Sequence, residues 1–561
     1  MVKNNYHLMS SPLRKWSLMV FSLVFFALTE VNAQSNKYVV YFSDKAGSSY
    51  SIDQPEAFLS PRSIERRQKQ GIPIKETDLP VTKSYVQGVE ETGANVIYTS
   101  KWFNAALFEG TAEQVKTIEA LPFTTTIEYV RPGAQGNRNR GGRLGGHSFS
   151  HQHTEAIPLD ELANQAQNEM LGIPKMHEQG IHGEGVLIAV LDGGFRGVDA
   201  APFFKHLFEN EQYIDGYDFV GNSTNVFRYG QHGTEALSCI VAYEPGKLEA
   251  AAYGADVMLY VTEDGSSEYR IEEYNWLFAA ERADSVGAHI ISTSLGYTTF
   301  DDDSMNYSYD HLDGKTTVIT KAANMATAVG ILCVASAGNE GAYSWKYVSA
   351  PADAPDILSV GAVTLTQDRV SFSSIGPTAD GRIKPEVSAL GLQTVVGDAN
   401  GNITTANGTS FSAPLVTGLV AGFWQVYPQL TNLEVVEKIK ASGTNSIAPN
   451  NEIGFGVPDF SRASETVLDT EEETPLNNDF EVYPNPIMEG KLFIAPHQPH
   501  HGNLVIVILQ NSTGQTVATQ TFNNYTGTEP LSLDISTLSP GVYILQIFSP
   551  MLTDTVKLIR F

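Results

Sequence analysis

The sequence predicts an α/β chain: a mostly parallel sheet with helices on both faces, preceded by a smaller α+β unit and followed by a small β-sandwich. Three observations carry this. In the centre, apolar runs of strand length end in an acid or in Gly-Asn, as in Val186 to Asp192 and Ile331 to Asn339, the pattern of parallel strands buried on both faces. Upstream, strand and helix patterns follow one another as β-α-β-β-α-β. Downstream, short apolar or alternating runs are separated by Gly, Pro, Asn and Ser.

Composition bounds the function. The chain has 561 residues, enough for about three to five structural units. Lys and Arg number 36 against 63 Asp and Glu, a net charge of −27 that repels phosphate and argues against a nucleic-acid partner. Hydrophobic residues reach 42% and charged ones only 18%, so large cores can form and wholesale disorder is excluded. Two cysteines, Cys239 and Cys333, cannot build a disulfide framework; they read as small buried apolar fillers.

In chain order, Lys3, Arg14 and Lys15 precede the apolar run Trp16 to Leu28, and Val31-Asn32-Ala33 offers the small residues of a signal-peptidase site. Residues 1–33 are expected to be a signal peptide; the run is too short to span a bilayer of about 30 Å. Residues 34–130 form the β-α-β-β-α-β unit, a ferredoxin-like plan. Its strands are Lys37 to Phe42, Asn95 to Tyr98, Ala105 to Phe108 and Thr125 to Val130. Its helices are expected over Pro55 to Gln70, with Arg62, Arg66, Arg67 and Lys69 on the polar side, and over Ala112 to Leu121. Residues 131–158, Gly-rich and basic, can neither bury themselves nor hold a fixed backbone, and are expected to be a cleavable tether.

The central unit, residues 159–468, carries the chemistry. Asp192 ends a buried strand, where ligands of open α/β sheets bind, although a lone Asp there is more often a helix cap. His232-Gly233-Thr234 opens a nearly all-apolar helix. Ser410, in Asn407-Gly408-Thr409-Ser410, opens another, whose unpaired N–H groups and positive dipole end suit an oxyanion. Asn339 follows a third strand, with an amide able to donate to the same charge. The acidic stretch 469–478 reads as a linker, and residues 479–561 as the sandwich.

Together Asp192, His232, Asn339 and Ser410 resemble the subtilisin-like serine proteases, the subtilases, over roughly Leu171 to Phe460. The resemblance implies that Ser410 is the nucleophile, His232 the general base and then acid, Asp192 the group that orients the imidazolium, and Asn339 an oxyanion donor. It implies further that Ser294, Leu295 and Gly296 pair with substrate backbone, with Ala335 to Gly338 on the far side of the specificity pocket. It makes the first unit an inhibitory prodomain, removed by self-cleavage between Arg131 and Leu159, and calls for no cofactor in the chemistry. The strings Tyr483-Pro484-Asn485-Pro486, Leu538 to Tyr543 and Lys557 to Phe561 resemble the C-terminal sorting domain of proteins exported by the type IX secretion system of Bacteroidetes. The expected partners are therefore protein or peptide substrates, the chain's own prodomain and a secretion machinery, for a product that crosses inner and outer membranes.

Three positions depart from the family pattern. Gly193 removes a hydroxyl that would bond Asp192, Glu235 and Ser238 replace a His and a Gly after His232, and Phe411 replaces an oxidisable Met after the nucleophile. The first two motivate the rival expectation, a catalytically impaired subtilase-fold binding or adhesion protein. Asp301-Asp302-Asp303, with Asp310 and Asp313, is an acidic insertion compatible with structural Ca²⁺, or equally with a solvated loop.

Overall fold

Strand β1 (Asn36–Phe42) lies at the heart of an antiparallel sheet of order β2-β3-β1-β4, with β2 (Asn95–Ser100), β3 (Ala105–Gly110) and β4 (Thr124–Arg131). The computed structural model describes residue 1 and residues 34–133, 163–471, 480–487, 490–496, 504–511, 515–523, 529–549 and 553–560. The expected leader over 2–33, the tether from 134 to 158 and the acidic linker from 472 to 478 lie outside the described residues. Two compact units result, 1–464 and 465–561.

Period-2 alternation gives the first sheet two apolar faces. Val40, Ala106 and Phe108 face helices α2 (Lys83–Glu90) and α3 (Ala112–Glu119), through Val89 and Ile118. The opposite residues Val39, Ala105, Leu107 and Val130 join the core of the central domain. A capping box starts α3: the Thr111 N–H donates to Gln114 Oε1 at 2.8 Å, and Gln114 N–H to Thr111 Oγ1 at 3.4 Å.

The first helix differs from the sequence expectation in two ways. Helix α1 spans only Pro61–Lys69, capped by Ser60 Oγ, and residues 55–57 form a separate 3-10 turn. It does not pack on the β1–β4 sheet; α2, which sequence patterning missed, does so. Arg66 and Arg67 are not polar-face residues but 3% and 1% exposed, because α1 docks on the central domain. There the Asp284 carboxylate accepts from Arg66 Nη2 at 2.5 Å, Arg67 Nη2 at 2.9 Å and Lys101 Nζ at 2.6 Å. Burial alone would raise Asp284, but the three cations hold it well below the usual carboxylate range. One turn away, Glu281 Oε2 accepts the Lys101 N–H at 2.8 Å and Oε1 the Trp102 N–H at 3.1 Å.

The central sheet has seven strands, all parallel. They are β5 (Leu187–Asp192), β6 (Tyr213–Asp218), β7 (Asp256–Val261), β8 (Ile290–Thr293), β9 (Leu332–Ser336), β10 (Leu358–Val363) and β11 (Val387–Leu390), in the order β11-β10-β9-β8-β5-β7-β6. Helices α4 (His232–Val241) and α7 (Thr409–Val426) pack together on one face. Helices α5 (Ile271–Val286) and α6 (Val318–Ala328) pack on the other, where Leu187, Ala189 and Leu191 of β5 meet Trp276 and Leu277. Strands β5, β8 and β9 are neighbours, so the segments leaving their carboxyl ends converge. Among the described residues no helix is long and apolar enough to cross a membrane.

The second unit holds two antiparallel sheets. One is Phe480–Tyr483, Lys491–Pro496 and Leu531–Asp534; the other is Leu504–Asn511, Thr516–Asn523, Gly541–Phe548 and Thr553–Arg560. They share a core that includes Leu492, Ile494, Val507, Leu545 and Leu558, the expected sandwich with one more strand, Phe480–Tyr483, than the sequence pattern announced.

Candidate active site

Asp192 is the last residue of β5 and 1% exposed. Its Oδ1 accepts from His232 Nδ1 at 2.8 Å and from the Gly193 N–H at 2.7 Å, and its Oδ2 lies 3.0 Å from the same ring nitrogen. His232 opens α4. Gly233 beside it must be glycine, because a Cβ there would sit 2.6 Å from the Gly194 carbonyl oxygen and 2.9 Å from Asp192 Cβ. Burial alone would lower the His232 imidazole, but Asp192 outweighs it, with Glu235 and Glu263 adding, and holds it above the ordinary histidine range.

Ser410 is the second residue of α7, fully buried, so its N–H has no acceptor within the helix. Its Oγ lies 3.5 Å from the Ser294 carbonyl oxygen, and Ser294 Oγ donates back to the Ser410 carbonyl at 2.7 Å. Asn339 Oδ1 accepts from the Thr409 N–H at 3.0 Å and from Thr409 Oγ1 at 3.1 Å. That pair of donors fixes which end of the amide is oxygen and turns the Nδ2 donor the other way. Gly408 (φ +146°) and Gly338 (φ +106°) take backbone angles that favour glycine, and the Gly338 N–H donates to Thr409 Oγ1 at 3.2 Å. Beyond β8, Leu295 and Gly296 run to Tyr297, whose N–H donates to the Ala350 carbonyl at 2.9 Å. A Cβ on Gly296 would meet Ser349 Oγ at 2.1 Å, so this wall is closely packed.

The structure joins Asp192 to His232, Ser410 to Ser294 and Asn339 to Thr409, and brings the His232 ring near that of Phe411, the residue after Ser410; the carboxylates of the acidic insertion are engaged elsewhere. Asp302 is spent capping Ser304, Asp303 on Asn306 and Asp313 on the N–H groups of Lys315 and Thr316. Three residues take roles that the sequence did not reveal, two of them, Phe411 and Ser238, already noted as departures. Thr409 orients the amide, and Phe411, fully buried, packs its ring 5.7 Å from the His232 ring. Ser238 accepts the Gly397 N–H at 2.8 Å, tying α4 to the strand Thr394–Gly397. Glu235, buried and hydrogen-bonded by Gln231 Nε2 at 2.8 Å, is pushed up by burial to about 7. Cys239 and Cys333 are both buried and unbridged, and burial pushes the Cys333 thiol up to about 12.

A hydroxyl at a buried helix start, an imidazole held by a carboxylate and a parallel sheet between two helix layers belong to one class, the α/β serine peptidases. Comparison with known proteins makes the assignment particular. The model of the subtilase family matches residues 183–456, that of a Bacteroidota peptidase S8 propeptide domain matches 37–142, and that of a secretion-system C-terminal sorting domain matches 481–560. Subtilisin of Bacillus pumilus is 30% identical over 276 residues, 48% of this chain and 88% of its own. Subtilisin NAT of Bacillus subtilis subsp. natto is 27% identical over 361 residues, 64% of this chain and 80% of its own. The alkaline protease of Shouchella clausii is 26% identical over 336 residues, 56% and 78% of the two chains. The chain belongs to the subtilase family; it is a subtilisin-like serine peptidase with a propeptide domain and a sorting domain for type IX secretion.

Proposed function

We propose that the chain is a self-processing endopeptidase zymogen in which Ser410 attacks the scissile carbonyl while His232 Nε2 takes the hydroxyl proton. Asp192 holds Nδ1–H and stabilises the imidazolium, and Asn339 Nδ2 with the Ser410 N–H binds the oxyanion. As the tetrahedral adduct collapses, the C–N bond breaks and His232 returns the proton to the leaving amine. Water then frees the acyl group by the same path in reverse. Substrate backbone runs between Ser294-Leu295-Gly296 and the segment ending at Gly338. What supports this reading is the Asp192–His232 hydrogen bond, the approach of the His232 ring to Phe411, which follows Ser410 at a buried helix start, and an amide held by Thr409.

In the same proposal residues 1–33 are the signal peptide, 34–130 the inhibitory prodomain, 131–158 the cleaved tether, 159–468 the peptidase, 469–478 a linker and 479–561 the sorting sandwich. The direction of the chain supports it: Arg131, at the end of β4, pairs with Asp264 at 2.6 Å, next to Glu263, whose Cβ would stand 3.5 Å from a Cβ added to Gly193. The sandwich would take the protein through the outer membrane to the surface or medium.

The test pairs protein begun at Gln34 with its Ser410→Ala variant, following prodomain release and casein hydrolysis. Both should vanish in the variant, turnover falling about 10⁶-fold as it does when subtilisin loses its nucleophile. A folded parent that neither matures nor cleaves would instead favour the impaired binding protein.

A further inference from the structure

On the substrate path proposed above, Gly296 after β8 and Gly338 after β9 form opposite sides, and both are half-buried. The segment Ser349-Ala350 is bonded to both. The Tyr297 N–H donates to the Ala350 carbonyl at 2.9 Å and the Ala350 N–H to the Tyr297 carbonyl at 3.3 Å, while the Ser349 N–H donates to the Ala337 carbonyl at 3.2 Å. Ala337, Val348 and Ala352 pack together next to it, fully buried. A floor tied on two sides and packed at native density does not drop to make room.

The Ser349 hydroxyl fills the gap between the two glycines. A Cβ on Gly296 would stand 2.1 Å from Ser349 Oγ, and a Cβ on Gly338 would stand 3.0 Å from the same atom. On the Gly338 side Ser374 Oγ, which accepts the Glu340 N–H at 3.0 Å, would stand 2.9 Å from that Cβ as well. Non-bonded carbon atoms need about 3.5–4.0 Å, so a ring or branched chain entering between the glycines meets the Ser349 hydroxyl before it is seated. The buried Asp353 brings no charge to this floor, because its carboxylate accepts from the Gly314 N–H at 2.9 Å and Thr320 Oγ1 at 2.5 Å.

We propose that Ser349 is a specificity-determining residue whose hydroxyl closes the primary pocket to large side chains, so that the peptidase cleaves after Gly, Ala or Ser. The proposal rests on the reading of Ser294-Leu295-Gly296 and the segment ending at Gly338 as the two sides of the substrate path, and gives that path its substrate class. The tether agrees with it. Residues 131–158 are rich in Gly, Ala and Ser, and their large apolar residues are Leu144, Phe149 and Ile157 alone, so a short pocket finds many bonds to cut in its own chain.

The experiment digests casein with the processed parent and with Ser349→Gly, and follows the initial rate of each cut by mass spectrometry. In the parent, cuts after Gly, Ala and Ser should outpace those after Phe, Tyr and Leu by about tenfold or more, the cost of one group too many in a closed pocket. Ser349→Gly should raise cuts after the large residues by about tenfold or more and leave those after Ala within about threefold. A merely structural role for Ser349 would lower all cuts together. Should Ser349→Gly fail to fold, Ser349→Ala, which also lacks the hydroxyl, should shift the ratio the same way. A parent that cuts mainly after large residues, or folded variants with the parent's ratio, overturns the proposal and leaves the catalytic reading standing. A folded, processed parent that does not hydrolyse casein overturns the catalytic reading, and this proposal with it.

Discussion

The acid–base residue is tuned by its neighbours rather than by its own position. His232 must be neutral to accept a proton, yet Asp192 holds it above the ordinary histidine range of about 6.5. Activity is therefore absent while the ring is protonated and appears as pH rises through the elevated value. The acidic limb of kcat/KM for the processed enzyme should have its midpoint above 6.5; a midpoint at or below it would show that Asp192 does not govern the base. At Asn339 the side chain's value lies in one donor, since its oxygen is already engaged by Thr409. Asn339→Ala should lower kcat by about 10²–10³ with little change in KM, because the donor is used only once charge develops. A mainly raised KM would mean ground-state binding instead.

Among the elements, helix α1 does what its sequence did not announce. Its arginines look like a solvated stripe because their partner, Asp284, is 217 residues from Arg67 and no local pattern connects them. Helix α2 was hidden for a related reason: Gly88 within Lys83–Glu90 lowers helix propensity, but a Cβ there would stand 2.7 Å from Phe123 Cζ, so close packing against β4's leading turn requires it. The catalytic strands, by contrast, were legible because burial on both faces writes an uninterrupted apolar run, and Asp192, His232, Asn339 and Ser410 each sit where such a run or an apolar helix begins or ends. The Thr409 and Phe411 roles depend on side-chain directions that spacing does not encode. The Asp284 cluster joins prodomain elements to α5, and removing one member of a buried ionic group costs about 3–5 kcal/mol. Asp284→Asn should thus weaken inhibition by the released prodomain by about 10²–10³, leaving the processed peptidase's Tm nearly unchanged. Because the folded value of Asp284 is depressed, its contribution is complete above the ordinary carboxylate range and is lost as pH falls through the depressed value. An unchanged inhibition constant at pH 7 would remove α1 docking from the account of latency.

At the scale of the molecule, the division into 1–464 and 465–561 assigns each unit its own hydrophobic interior. Residues such as Leu187, Trp276 and Ile319 are buried within the first, and Leu492, Val507 and Leu558 within the second. A unit that buries its own apolar surface does not need the other to fold. The helix Phe460–Glu471 crosses this division, and Val467 within it is 2% exposed, so a cut that leaves the helix whole falls behind Glu471. A chain ending at Glu471 should mature and hydrolyse casein within about twofold of the full protein, since the hydrogen bonds described for Asp192, His232 and Ser410 join residues before that point. The same chain, expressed in a host with the cognate secretion system, should stay behind the outer membrane, because the matched sorting domain at 481–560 is gone. Loss of casein hydrolysis by a truncated protein that fails to fold would show the sandwich to be a folding partner. Export without it would show that the address lies elsewhere in the chain.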